Sequence, residues 1–173
     1  MVNPNRKLGS FTKRFTGISQ EDVDSAPSFD YVSTKLISFI NDSPIVGHNI
    51  SFDLGFLENN GIKLTNPRSD TLDLAYVLKP CEPEYNLAKI AESLSISHSR
   101  PHRALNDAKI TATLFQKLVK DSEELDPGII SKLSEIASKS NWVLSYIFER
   151  LVAYRSFPPK NKKNEIDVRP INT

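Results

Sequence analysis

The chain has 173 residues, 39% of them hydrophobic, which suffices for the core of one ordinary domain. Lys and Arg number 22 against 21 acids, and a net charge of +1 gives no overall electrostatic argument for a polyanionic partner. One cysteine, Cys81, excludes an internal disulfide, and the absence of an apolar leader or long apolar run argues against secretion and membrane spanning, so the expected location is the cytoplasm.

The charges are unevenly spread. Arg6, Lys7, Lys13 and Arg14 gather near the start, and Lys160, Lys162 and Lys163 near the end; such runs are usually solvated surface. Ser19 with Asp22 three places on has the form of a capping box that opens a helix. Phe29, Val32, Leu36 and Ile40 recur at three and four, the stripe of an amphipathic helix that Asp42-Ser43-Pro44 ends. Ile45-Val46 reads as a short buried strand. From about Ser51 a helix places Phe52, Phe56 and Leu57 on one face. Asn66-Pro67 leads to a strand end at Asp70-Thr71-Leu72 and a helix through Val77. Leu87, Ile90, Ala91 and Leu94 mark another helix. Ala104, Ala108, Thr111, Phe115 and Leu118 mark a longer one, whose alanines would let it pack closely on a neighbour. Strands alternating with helices predict an α/β layer with a parallel pair. Pro127-Gly128 separates this core from further helical segments around Ile129, Leu133, Ile136 and Ala137 and from 141 to 153. From Ser156 on, the proline- and lysine-rich SFPPKNKKNEIDVRPINT reads as a linker or disordered tail.

Two stretches carry candidate chemistry. In GHNISFDLGFL (47–57), Asn49 stands where a strand gives way to a helix, so an Asx cap of the first turn is its simplest role. Asp53 falls one turn in, either as a carboxylate favourable near a helix N-terminus or as a ligand group beside the strand's C-terminal end. In HRALNDA (102–108), Pro101 keeps the helix from starting before His102. Were both helical, His102 and Asp107 would point about 140° apart; with His102 in the loop, both can approach one point.

Together the two stretches resemble the second and third motifs of the DnaQ-like exonucleases with an active-site histidine. Phe15-Thr16-Gly17-Ile18, Ser19-Gln20-Glu21-Asp22, Ala26-Pro27, Asp70-Thr71-Leu72-Asp73-Leu74-Ala75 and Tyr85-Asn86-Leu87 are similar to further segments of that family, and the likeness spans about residues 2 to 120. The resemblance implies a ribonuclease H-like α/β fold and 3′→5′ removal of nucleotides from single-stranded DNA or RNA ends by two-metal hydrolysis. It implies Asp53 and Asp107 as ligands of Mg²⁺ or Mn²⁺ and His102 as general base. His48, Asn49, Phe52 and Thr16 become nucleic-acid contacts. Phe52 keeps two readings, a core residue on the apolar face or a ring that stacks on a terminal base.

One departure matters. The family's first motif, Asp-x-Glu on its first strand, should precede Val2-Asn3-Pro4, where there is no room for it; Asp121-Ser122-Glu123 matches the letters but comes after the third motif. The expectation is a fold lacking its first strands and two metal-binding carboxylates, with a helical extension. The expected divisions are 1–122 for the truncated exonuclease domain, 123–155 for the extension and 156–173 for the tail. Residues 129–148 loosely resemble the segment next to the exonuclease domain in DinG-type helicases, so a polymerase or helicase domain is an expected partner. The enzyme reading is a weak or inactive 3′→5′ exonuclease; the alternative is a non-catalytic remnant that binds nucleic acid or protein.

Overall fold

A computed structural model describes residues 1–97, 103–140 and 142–156. Nine helices and two strands are found among the described residues: α1 Ser10–Thr16, α2 Gln20–Asp24, α3 Phe29–Ile40, β1 Ile45–Gly47, α4 Ile50–Asn59, β2 Arg68–Asp70, α5 Thr71–Leu78, α6 Leu87–Ser93, α7 Ala104–Glu123, α8 Pro127–Ser140 and α9 Ser145–Ser156. The expected capping box opens α2: the Ser19 hydroxyl accepts the Asp22 amide and the Asp22 carboxylate accepts the Ser19 amide. The α3 stripe and the short strand lie where their residue patterns place them, but Ile45 and Val46 are half-buried rather than buried.

β1 and β2 pair in parallel, with Ile45, Val46 and Gly47 opposite Arg68, Ser69 and Asp70. α4 makes the crossover between them, and α7 packs against β1. The core gathers around α5 and the helices that follow it. Leu74 and Ala75 of α5 join Ile90 and Ala91 of α6, Leu114, Phe115 and Leu118 of α7, and buried residues of α8 and α9 in one cluster. A 2.7 Å ion pair from Lys79 to Asp121 and a 2.6 Å hydrogen bond from the Trp142 indole to Asp73 tie the end of α5 to α7 and α5 itself to the link between α8 and α9.

Four expectations need correction. Pro127 and Gly128 lie in the first turn of α8, because proline's fixed φ and missing donor suit a helix start. Ile130, Ala137, Ile147, Phe148 and Leu151 share the cluster of α5 to α7, so the helical extension has no core of its own. Ala104 and Ala108 are exposed, and the buried stripe of α7 begins only at Thr111. In α4 the inward stripe is Ile50, Leu54 and Leu57, with Ile50 buried and the leucines half-buried. Phe52 starts a second apolar stripe about 200° away and is 76% exposed, so its core reading fails. The segment 157–173, nearly all of the expected tail, lies outside the described residues. No helix among the described residues is long and apolar enough to cross a membrane.

Candidate active site

The site forms where β1 and β2 end, and one buried carboxylate organises it. Asp70, the last residue of β2, is only 5% exposed. Its Oδ1 accepts the amides of Asn49 (2.8 Å) and Leu72 (2.9 Å), and its Oδ2 accepts the amide of Ile50 (2.8 Å). Asp70 therefore caps α5 and, across the strand pair, also α4. Both helix N-termini offer unsatisfied donors and positive dipole ends, and a buried anion with three amide partners answers both. Asn49 does not cap α4 with its side chain, contrary to its simplest sequence reading. It occupies the N-cap in a left-handed conformation (φ 60, ψ 50), which asparagine tolerates, and its Oδ1 accepts from the Ser51 hydroxyl at 3.1 Å.

His48 points inward. Its Nε2 lies 2.9 Å from the Tyr85 carbonyl, which can only accept, so that nitrogen carries the hydrogen; its Nδ1 lies 2.9 Å from Thr71 Oγ1. Burial, first, holds its pKa below the usual histidine value, against the pull of the Tyr85 carbonyl and the charge of Asp70. The ring thus straps the β1–α4 junction to α5 and to the loop before α6. Gly47 is required at that junction, because a Cβ there would stand 2.8 Å from Cβ of Ile50.

Asp53 and Phe52 lie in the first turn of α4, both exposed as residues. Partial desolvation of the Asp53 carboxyl raises its pKa; its own backbone amide opposes this, and the charge of Asp70 adds to it. Asp107 lies in the first turn of α7, its amide bonded to the Arg103 carbonyl at 3.0 Å. Arg103 also sends Nη2 to the Gly17 carbonyl at 2.9 Å, across 86 positions of sequence. Thr16, beside that turn, donates to the Thr12 carbonyl (2.8 Å) and accepts the Ile18 amide (3.2 Å). His102 lies outside the described residues.

Carboxylate oxygens are the right donors for Mg²⁺ or Mn²⁺. Their number falls short: among the described residues no group of three or more His, Cys, Asp or Glu could hold an ion. Asp121-Ser122-Glu123 cannot complete the set. It stands 14 residues along α7 from Asp107, about 21 Å of helix, with Asp121 paired to Lys79 and Ser122 fully buried. A cavity of about 700 Å³ lies elsewhere, between α4 and α9, where Arg68, Trp142 and Tyr146 line it.

Asp70 and Arg103 are the organising residues that sequence reasoning left unassigned. An Asp closing a strand before a helix is a legible cap for that helix, but its second cap is formed by tertiary pairing.

A family model described as Exonuclease matches residues 1–115. The chain is 28% identical over 156 residues to the 3′-5′ exonuclease DinG of Bacillus subtilis, an alignment covering 87% of this chain and 17% of that protein. Over 139 residues it is 35% identical to a PolC-type DNA polymerase III of Clostridium perfringens, covering 78% and 10%. Over 173 residues it is 31% identical to the DinG exonuclease of Staphylococcus epidermidis, covering 96% and 19%. The chain thus spans less than a fifth of the length of these relatives.

Proposed function

The chain belongs to the DnaQ-like 3′→5′ exonuclease family, and from that premise we propose that it carries half of a ribonuclease H-like nuclease site acting on the 3′ end of single-stranded DNA or RNA. The observation that carries this reading is the placing of two acids: Asp53 opens α4 where β1 ends, and Asp107 opens α7, which packs on β1. In the family's chemistry a pair of divalent cations activates water and clamps the attacking and leaving oxygens. Asp53 and Asp107 are two oxygen donors for such a pair, too few to hold it, so these 173 residues alone should be inactive or weak. His102 is the general base, histidine being the side chain whose ordinary titration range suits proton transfer at neutral pH. Phe52 offers an exposed ring for the terminal base. Asn49 and Thr16 border the strand's path. His48, with both ring nitrogens engaged internally, positions α4 rather than touching the strand. The setting is a larger polymerase- or helicase-associated protein in the cytoplasm. A second reading, a non-catalytic module that binds nucleic acid or a partner protein, is favoured by the same shortage of carboxylates.

The test is a 5′-labelled single strand incubated with Mn²⁺. The chain alone should shorten it little or not at all. Joined to a family-like segment bearing Asp-x-Glu, it should give metal-dependent shortening from the 3′ end, and His102→Ala should then cost about 10²–10⁴ in rate. EDTA-sensitive degradation by the chain alone would overturn the predicted inactivity, and no activity in the joined protein would leave only the binding module. Weak Mn²⁺ binding should disappear in Asp53→Asn and in Asp107→Asn alike; survival in either variant would separate the two acids.

A further inference from the structure

The first twenty residues contain Arg6, Lys7, Lys13 and Arg14 and no acid, leaving 18 basic against 21 acidic residues in the rest of the chain. The near-neutral total therefore hides a cationic segment on a body with a net negative charge. The structure gives that segment a shape. α1 buries none of its seven residues. Phe11 and Phe15, one helical turn apart, are 66% and 51% exposed, with rings stacked at 5.5 Å between centroids and 14° between planes. Lys13 and Arg14 lie in the same last turn. Arg14 comes three positions after Phe11, a spacing that puts the two on neighbouring positions of the helix surface. α1 ends at Gly17, whose left-handed conformation (φ 64) turns the chain and whose carbonyl receives Arg103. Arg103 is the N-cap of α7, four residues before Asp107, so α1 is tied to the end of α7 that carries the candidate ligand.

Both rings keep more than half of their residue surface exposed on a helix that buries no residue. Exposed rings interleaved with cations, and without acids among them, match the two needs of single-stranded nucleic acid: bases stack on ring faces, and phosphates pair with Lys and Arg. A duplex keeps its bases stacked inside and offers no base face to these rings.

We propose that α1 and the basic loop before it form a contact surface for the single strand whose 3′ end the neighbouring site receives. The proposal rests on the nuclease-site reading for the strand's direction, but the contact itself needs neither metal nor cleavage.

The experiment is equilibrium binding of a 5′-fluorescein oligothymidylate, by anisotropy in EDTA, across a series of salt concentrations. The parent chain should bind with a linear fall of log K against log salt. Lys13→Ala/Arg14→Ala should weaken binding and flatten that slope by about 1.4, at roughly 0.7 for each phosphate no longer neutralised. Phe11→Ala should weaken binding about 5- to 100-fold with the slope unchanged. These side chains are exposed, so the variants should keep the parent's circular dichroism and melting midpoint. Three results would overturn the proposal: no binding by the parent, variants that bind as the parent does, or tighter binding to phosphatidylserine vesicles than to the oligonucleotide. The two readings separate cleanly. If Phe52→Ala alone weakens binding, the α1 surface falls and the nuclease site stands; if the α1 variants weaken binding but the joined protein cleaves nothing, the reverse holds.

Discussion

The 67 residues ahead of β2 and the residues beyond it are held together by different physics. The main hydrophobic cluster runs from Leu74 to Leu151 and draws on five helices, α5 to α9. Ahead of β2, only Val23, Ile50 and Ile62 are buried hydrophobics, and none belongs to that cluster; Val46 alone reaches it, half-buried. α3 is amphipathic, yet it buries no residue along its twelve positions. Its Phe29 meets Phe56 edge-on at 5.9 Å, which joins α3 to α4 but leaves Phe39 66% exposed. In place of a core, directed polar bonds hold this first part: the Asp70 carboxylate on α4, the Arg103 guanidinium on Gly17 and the Asn3 amide on the Pro27 carbonyl at 2.8 Å. The candidate residues Asp53, Phe52 and Asn49 stand at the seam, where a well-packed body meets a thinly packed segment. A site so placed depends on single hydrogen bonds rather than on diffuse packing.

Truncating one large side chain in each part gives the strongest contrast. Phe148→Ala, at a fully buried site, should cost about 3–5 kcal/mol in urea unfolding. Leu36→Ala on the half-buried face of α3 should cost under about 1 kcal/mol. Comparable costs would show that the α3 face is covered in solution.

At the seam, Asp70→Ala should cost roughly 3 kcal/mol, because three amides lose a charged acceptor that water cannot readily replace at a buried site. The amides of Asn49 and Ile50 should lose hydrogen-exchange protection well before those of α7. Uniform loss across the chain would mean that Asp70 serves global stability alone. Gly47→Ala should cost about 1–3 kcal/mol, since its Cβ meets the backbone and Cβ of Ile50 with little room to give. An unchanged unfolding midpoint in that variant would show that α4 can shift away from β1.

The smallest effect is in pH. His48 has a folded pKa below the usual value, so above about 6.5 it is neutral in both states and contributes no pH dependence. As pH falls below that, the unfolded chain takes up a proton that the folded ring resists, and stability declines until the folded pKa is passed. His48→Gln should flatten this decline, as read from melting midpoints between about pH 7.5 and 5. An equally steep decline in the variant would move the effect to other groups.

What the sequence determined alone is what neighbouring residues decide between themselves. The Ser19–Asp22 capping box, the α3 stripe and the end of that helix before Pro44 are settled within one or two turns, where spacing and turn chemistry act directly, whereas Thr71 and Leu72, read as a strand end, open α5 under the Asp70 cap. The two motif stretches were legible for the same reason, and with them the positions of Asp53 and Asp107 in the first turns of their helices. Only the tertiary structure decided which face of α4 turns inward, because α4 carries two apolar stripes and packing has to choose between them. It alone brought the Asp70 carboxylate under two helices, turned His48 away from solvent and carried Arg103 to Gly17. It also folded α8 and α9 into the core of α5 to α7. Each of these joins residues about 20 or more positions apart, a distance over which local pattern holds no information and close packing with complete hydrogen bonding makes the selection.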